Sequence, residues 1–248
     1  GSFEVPSLAL GQGVTTGRLT SRQRLLQQLD RGHLGDSASA FRAREFTREA
    51  LGLLQNEQVR RVFDLAREPR GIRERYGDHE WGQGALLARR LVEAGVTFVL
   101  LQCGLKQDWD THDDNFGRLG KKLLPPLDRA AAALIEDLVD RGMMDNVLVV
   151  MMAEFGRTPR INGSIGRDHW PNAWSMAMTG CGIQPGAIVG ETNDQGTEVV
   201  TEPFDIGHMF HTLYSAVGLH SKQVEYSNGT QPLPIAHDDM GPVKELLS

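Results

Sequence analysis

The sequence predicts an α/β fold: a mostly parallel sheet covered by helices on both faces, with a mostly helical N-terminal portion over residues 1–80. Three observations lead there. The runs "VTFVLLQC" (96–103) and "NVLVVMMA" (146–153) are apolar throughout rather than alternating, as expected of strands buried on both sides. They interleave with helical patterns in the order helix, strand, helix, strand, the rhythm of crossover connections in a parallel sheet. The first 80 residues hold only helical patterning, so residues 81–248 read as the α/β domain proper, packed with the N-terminal portion as a single unit.

Taken in order, "TTGRLTSRQRLLQQLDRGHL" places leucines at 19, 25, 26 and 29 and reads as a short amphipathic helix. A second helical stretch runs from Ser37 to about Ala66, with Phe41, Phe46, Leu51, Leu53, Leu54, Val59, Val62, Phe63 and Leu65 at broadly helical spacing, and Pro69-Arg70-Gly71 as its stop. "GQGALLARRLVEAG" is a helix started near His79, and "DNFGRLGKKLLPPLDRAAAALIEDLVDRG" is a long helix with a kink or fresh start near Pro125 and an end at Gly142. "AWSMAMTG" and "AIVGET" read as further strands, and "PFDIGHMFHTLYSAVG" as a last helix closed by Gly218.

Composition narrows the function. At 40% hydrophobic and 23% charged, the 248 residues have an ordinary globular profile. A net charge of -6 with no basic stripe argues against a nucleic-acid partner. The arginines between 40 and 90 alternate with acids, the pattern of solvated helix faces. No apolar run approaches the roughly 18 residues that a membrane span needs. Cys103 and Cys181 each end an apolar run and read as buried free thiols. The opening Gly1-Ser2 reads as the remnant of a cleaved tag, and the chain as an excised piece of a longer protein.

In parallel α/β sheets ligands bind beyond the carboxyl ends of strands. The run at 96–103 empties into "GLKQDWDTHDDNF" and the run at 146–153 into "EFGRTPRINGSIGRDHWPN". Two predicted strand ends thus release Asp108, Asp110, His112, Asp113, Asp114, Glu154, Asp168 and His169. Carboxylates mixed with imidazoles form the ligand set of zinc, manganese, iron or calcium. Asp110 and Asp113 can instead cap the following helix, and either histidine alone is unremarkable; their convergence on one sheet edge favours a metal. Glu154, placed at the end of a buried strand, needs compensation by a metal or by Arg157 three residues on. Arg157, Arg160 and Arg167 share the loop, and guanidinium forks match tetrahedral oxyanions, though such arginines also anchor loops. His208 and His211 share a face of the last helix and with Asp205 offer another ligand set, against the plainer reading of a packed helix.

"WDTHDDNF", "AEFGRTPRIN…GRDHWPNAW", "GCGIQPGAIVGETN" and "FDIGHMFHTLYSAVGL" resemble the domain of unknown function 1501 family, a bacterial family often labelled sulfatase-like, over most of the chain from about residue 80. "FEVPSLAL…RLTSRQRLLQQLD" extends the resemblance upstream. That family is similar to the alkaline phosphatase superfamily, with its alkaline-phosphatase-like α/β fold. The resemblance implies a metal-dependent hydrolase of phosphate or sulfate esters using zinc, calcium or manganese, in a periplasmic or secreted setting. Its partner would be a small anionic ester or a sulfated or phosphorylated glycan. Asp110, His112, Glu154, Asp168 and His169 fall at or beside its metal ligands, and Arg157, Arg160 and Arg167 beside its anion. Two departures weigh against turnover. Phe155 stands where the superfamily pattern has a histidine, and no strand bearing the superfamily's nucleophile is found, which also allows a non-catalytic metal- or anion-binding domain of a larger secreted protein.

Overall fold

A computed structural model describes residues 13–33, 38–105, 107–227, 229, 231–237 and 239–248. The opening dipeptide, the "FEVPSLAL" segment and the expected helix start at Ser37 lie outside the described residues. The chain divides into two compact units, Gly1–Leu101 and Gln102–Ser248.

The first unit is helical: α1 (Thr16–His33), α2 (Ala38–Gln55), α3 (Glu57–Phe63), α4 (Arg70–Tyr76) and α5 (Glu80–Glu93). The long helix expected from 37 to 66 breaks at Asn56, whose side chain accepts the Gln58 N–H and starts α3 afresh. Pro69 then begins α4. His79 is the N-cap of α5, its Nδ1 accepting the Gly82 N–H at 3.1 Å. The core gathers Leu65, Tyr76, Ala85, Leu86 and Leu87. Among them Arg89, 1% exposed, is held by Glu68 at 2.9 Å and Glu93 at 2.7 Å. Burial alone would raise the Glu68 carboxyl, but the hydrogen bonds and charges of Arg89 and Arg90 outweigh it and hold the group below its usual range.

The second unit holds α6 (Asn115–Arg118), a π-helical turn at Leu119–Leu123, α7 (Leu124–Asp140) and α8 (Ile206–Ala216). The π turn sits where Pro125 and Pro126 remove two N–H donors, so the helix restarts at Leu124. Six short strands complete it: β1 (Leu148–Met151), β2 (Gly156–Arg157), β3 (His169–Trp170), β4 (Ala177–Gly180), β5 (Glu225–Ser227) and β6 (Pro232–Pro234). Among the described residues they pair as β1–β4, β2–β3 and β5–β6, every pair antiparallel.

This corrects the expected fold. Among the described residues there is no large parallel sheet covered on both faces and no alkaline-phosphatase-like α/β architecture; the structure is 45% helical, with three two-stranded antiparallel ladders among the described residues. The run at 96–103 forms no strand, and the division between the two units falls inside it. Phe98 and Leu100 are 80% and 82% exposed, the opposite of a strand buried on both faces. An apolar run specifies that a strand can form, but not its partner or the direction of pairing. The run at 146–153 yields β1, whose neighbour β4 runs antiparallel with Leu148 opposite Gly180. "AIVGET" contributes only an isolated bridge, Thr192 to Val199. No helix among the described residues is long and apolar enough to cross a membrane. Both cysteines are free and half-buried, and burial pushes both thiols up.

Candidate metal and oxyanion site

The site is built in the second unit from two loops stitched together by backbone. The first, 107–114, is held from below by Arg118, whose guanidinium donates to the carbonyls of Gln107 (3.1 Å) and Asp108 (2.9 Å). Thr111 is buried and donates its hydroxyl to Asn115 Oδ1. The second loop, 158–168, joins β2 to β3. Arg167 N donates to Thr111 O (3.0 Å), and Asp114 N and Asn115 N donate to Ser164 O and Ile165 O. Gly166 is required for this approach: a Cβ there would stand 1.8 Å from the His112 carbonyl oxygen.

Strand register then aims the side chains. In the β2–β3 pair Arg157 lies directly opposite His169, so both project from one face of the ladder. Both reach the same atom, Asp110 Oδ1: Arg157 Nη1 at 2.8 Å and His169 Nε2 at 2.9 Å. His112 Nε2 approaches that oxygen as well, at 3.0 Å. The hydrogen bonds of His169 and Arg157 hold the Asp110 carboxyl down at about 2. On its far side His112 Nδ1 meets Asp168 Oδ1 at 2.7 Å, and that bond, with one from Asn162, lowers Asp168 too.

The expected site residues separate accordingly. Asp110, His112 and His169 offer donor atoms that all lie within 4.8 Å of one another. Asp168 sits behind His112 as its hydrogen-bond partner. Glu154 does not join them: β1 ends at Met151, Glu154 is exposed, and Arg157 pairs with Asp110 rather than with it. Arg167 anchors the loop, donating to the carbonyls of Thr158 (2.6 Å) and Pro159 (2.9 Å), while Arg160 is exposed. Only Arg157 of the three arginines touches the cluster. Phe155 packs its ring 4.5 Å from that of His169, with the Arg157 guanidinium over it at 5.8 Å. Asp114 stands at the N-cap position of the helix following the first loop, with no side-chain cap bond, so neither Asp110 nor Asp113 is the cap expected from the sequence.

His208 and His211 have other work. His208 closes a capping box with Asp205 at the start of α8. His211 is fully buried, with Nδ1 2.6 Å from Ser221 Oγ and Nε2 2.7 Å from the His237 carbonyl oxygen.

A family model described as protein of unknown function (DUF1501) matches residues 2–247. The chain belongs to the DUF1501 family. Neither a curated protein nor a solved structure matches it. The match spans both units, so the helical first unit of this DUF1501 chain is as much part of the family's pattern as the Asp/His cluster. The residue that sequence reasoning passed over is Asn162, bonded to both site loops. Its signal was the Asn-Gly pair in "RINGSIG", a turn dipeptide whose asparagine commonly bonds nearby backbone.

Proposed function

We propose that Asp110, His112 and His169 hold one divalent metal ion and that Arg157 beside them receives the oxyanion of a phosphate or sulfate ester. The observation that supports this best is the convergence of two imidazole nitrogens on one carboxylate oxygen at 2.9 and 3.0 Å. Donors bound to a single ion at about 2.0–2.2 Å stand roughly 3 Å apart; both carboxylate–imidazole separations meet this, and all three donor atoms lie within 4.8 Å of one another. A carboxylate with two imidazoles suits zinc or manganese better than calcium, which prefers oxygen ligands throughout. Three protein ligands with exposed imidazoles leave coordination positions open to a ligand, the pattern of reactive rather than structural sites.

An ion there would supply Lewis-acid polarisation of a phosphoryl or sulfuryl oxygen. The chain's own residues supply the rest. Asp168 is placed to accept the Nδ1 proton of His112, which would leave Nε2, 3.0 Å from Asp110 Oδ1, as the nitrogen that faces an ion. Arg157 is fixed between Asp110 and the Trp109 carbonyl, presenting a guanidinium at the place where an oxyanion would arrive. Hydrolysis of such esters is the reaction class this arrangement suits.

A second reading, binding without turnover, is favoured by the hydroxyls nearby. Thr111 spends its hydroxyl on Asn115, and Thr158 donates to the Arg160 carbonyl, so neither threonine is placed as a nucleophile. Titration with zinc and manganese should give one ion per chain, lost in His169→Ala. Aryl phosphate and aryl sulfate then separate the readings: metal-dependent turnover favours the hydrolase, and competitive binding of inorganic phosphate or sulfate without turnover favours the binding site. Failure of the wild-type chain to bind either metal above background would overturn both.

A further inference from the structure

We infer that Asn162 is the positioning residue of this site: its side-chain amide locks Asp168 behind His112 and so fixes which imidazole nitrogen faces the ion. The inference rests on the metal reading above for its purpose, though not for its geometry. All four hydrogen-bonding positions of the amide are used. Oδ1 accepts from Ser164 N and Gly166 N, both at 2.9 Å, which closes the loop over itself. Nδ2 donates to the His112 carbonyl and to Asp168 Oδ1, both at 3.0 Å, which ties that loop to the other one. The amide cannot be turned over without setting oxygen against oxygen and N–H against N–H at once. Asn162 therefore has one orientation, and it delivers a donor to the oxygen that also accepts from His112 Nδ1.

The consequence follows from how a ligating histidine is prepared. A neutral imidazole has one N–H and one lone pair, and the partner of the N–H decides which nitrogen is left for an ion. Asp168 is that partner here, yet its side chain is 52% exposed and gets no help from burial. Without a second bond the carboxylate would turn into solvent and release His112 with it. Asn162 supplies that bond, and through the His112 carbonyl it also holds the backbone from which the imidazole hangs. The backbone around it shows how tightly the loop is drawn. Ile165, a β-branched residue, is held at φ 57°, and Asp114 in the facing loop at φ 38°, both in the left-handed region.

Two substitutions separate positioning from simple turn formation. Asn162→Ala removes all four bonds and should weaken zinc affinity by about 10–100-fold, the usual cost of losing a residue that supports a ligand. Asn162→Asp keeps an oxygen for Ser164 N and Gly166 N, so the turn should survive and the chelator-treated protein should still unfold cooperatively. It loses both donors, however, and sets a like charge beside Asp168. Ring-nitrogen shifts of His112 in the metal-free protein, at mildly alkaline pH, read the outcome directly. Wild type should carry its proton on Nδ1, held by the shorter bond to Asp168, whereas both variants should move toward the form protonated on Nε2, which faces Asp110 Oδ1 at 3.0 Å. Wild-type zinc affinity and an unchanged His112 tautomer in Asn162→Asp would reduce Asn162 to a turn former and overturn the inference. An unchanged tautomer in Asn162→Ala would do the same. A wild-type chain that binds no metal, with the tautomer still shifting in both variants, would sink the metal reading and leave the positioning role standing.

Discussion

Two parts of the second unit place histidines close to hydroxyl or carboxylate partners, and they do opposite things with them. On α8, His211 is fully buried, and each ring nitrogen has one partner, the Ser221 hydroxyl or the His237 carbonyl. Its neighbour Thr212 accepts the Val243 N–H, so two adjacent residues tie the C-terminal segment to the helix. In the loop cluster, His112 and His169 are 44% and 51% exposed and crowd a single carboxylate oxygen that Arg157 already occupies. A histidine that serves structure is sealed away and distributes its bonds over separate partners. The two histidines proposed to hold an ion stay open to solvent and share one partner. The sequence offers histidines and aspartates in both regions, and it favours a metal at the loops and plain packing on the last helix.

The comparison can be broken most forcefully at His211. His211→Ala should cost about 3 kcal/mol of unfolding free energy, because it opens a cavity and leaves the buried Ser221 hydroxyl and His237 carbonyl without partners. Denaturant titration would measure this, and zinc affinity should be unchanged. A loss under about 1 kcal/mol would show that the buried bonds contribute little and erase the contrast.

His169→Ala should do the reverse. Zinc affinity should fall by about 100-fold or more, while the chelator-treated mutant should melt within about 0.5 kcal/mol of chelator-treated wild type, as substitutions of exposed side chains usually do. Added zinc should raise the melting temperature of the wild type only, since an ion stabilises whichever state binds it. A chelator-independent loss of stability in His169→Ala would move this histidine into the structural class.

The smallest effect is expected at Asp205. Burial by itself would push its carboxyl up, but the backbone N–H groups of Gly207 and His208 and the His208 side chain outweigh it and hold the group below its usual range. A carboxyl depressed in the folded state stabilises above its unfolded pKa, and the contribution disappears as pH falls through the folded value. Asp205→Ala should therefore cost about 1 kcal/mol at neutral pH, the usual worth of an N-cap. The difference should close in strong acid, where wild type loses the charge too. A gap that persists undiminished at low pH would show that the cap acts through shape and not charge.

How much of this was legible beforehand depends on what kind of information each feature needs. Helices carry their own evidence: α1, α5, α7 and α8 follow from apolar periodicity, and glycines with positive φ at 95, 142 and 218 end or follow three of them. The restart at Pro125 was visible because proline removes a donor whatever surrounds it. Sheets depend on partners elsewhere in the chain. "VTFVLLQC" has every local property of a buried strand and pairs with nothing among the described residues, while β1 finds β4 in the antiparallel sense. The site divides the same way. Asp110, His112 and His169 were named from two predicted strand ends, of which only the second forms a strand, and the structure nonetheless brings their donor atoms within 4.8 Å. Glu154 was misplaced because its buried setting was inferred from a strand that stops three residues earlier, at Met151. The supporting role of Asp168 and the four bonds of Asn162 were invisible, since both depend on which loop lies against which.

That asparagine is followed by Gly163, and a Cβ on Gly163 would have nothing within 4 Å. Asparagine before an unhindered glycine is the pair most prone to spontaneous ageing: the glycine nitrogen attacks the side-chain carbon, ammonia leaves, and water reopens the ring to an acid. Attack requires the side chain to swing onto the backbone, and here all four of its bonds must be given up first. The folded loop therefore acts as a preservative for its own weakest link. Whenever it opens long enough for the ring to close, the product carries a new negative charge at the atom that had been steadying Asp168. Damage of this kind would accumulate with time and heat, and the part of the protein it reached first would be the His112 imidazole that Asp168 holds.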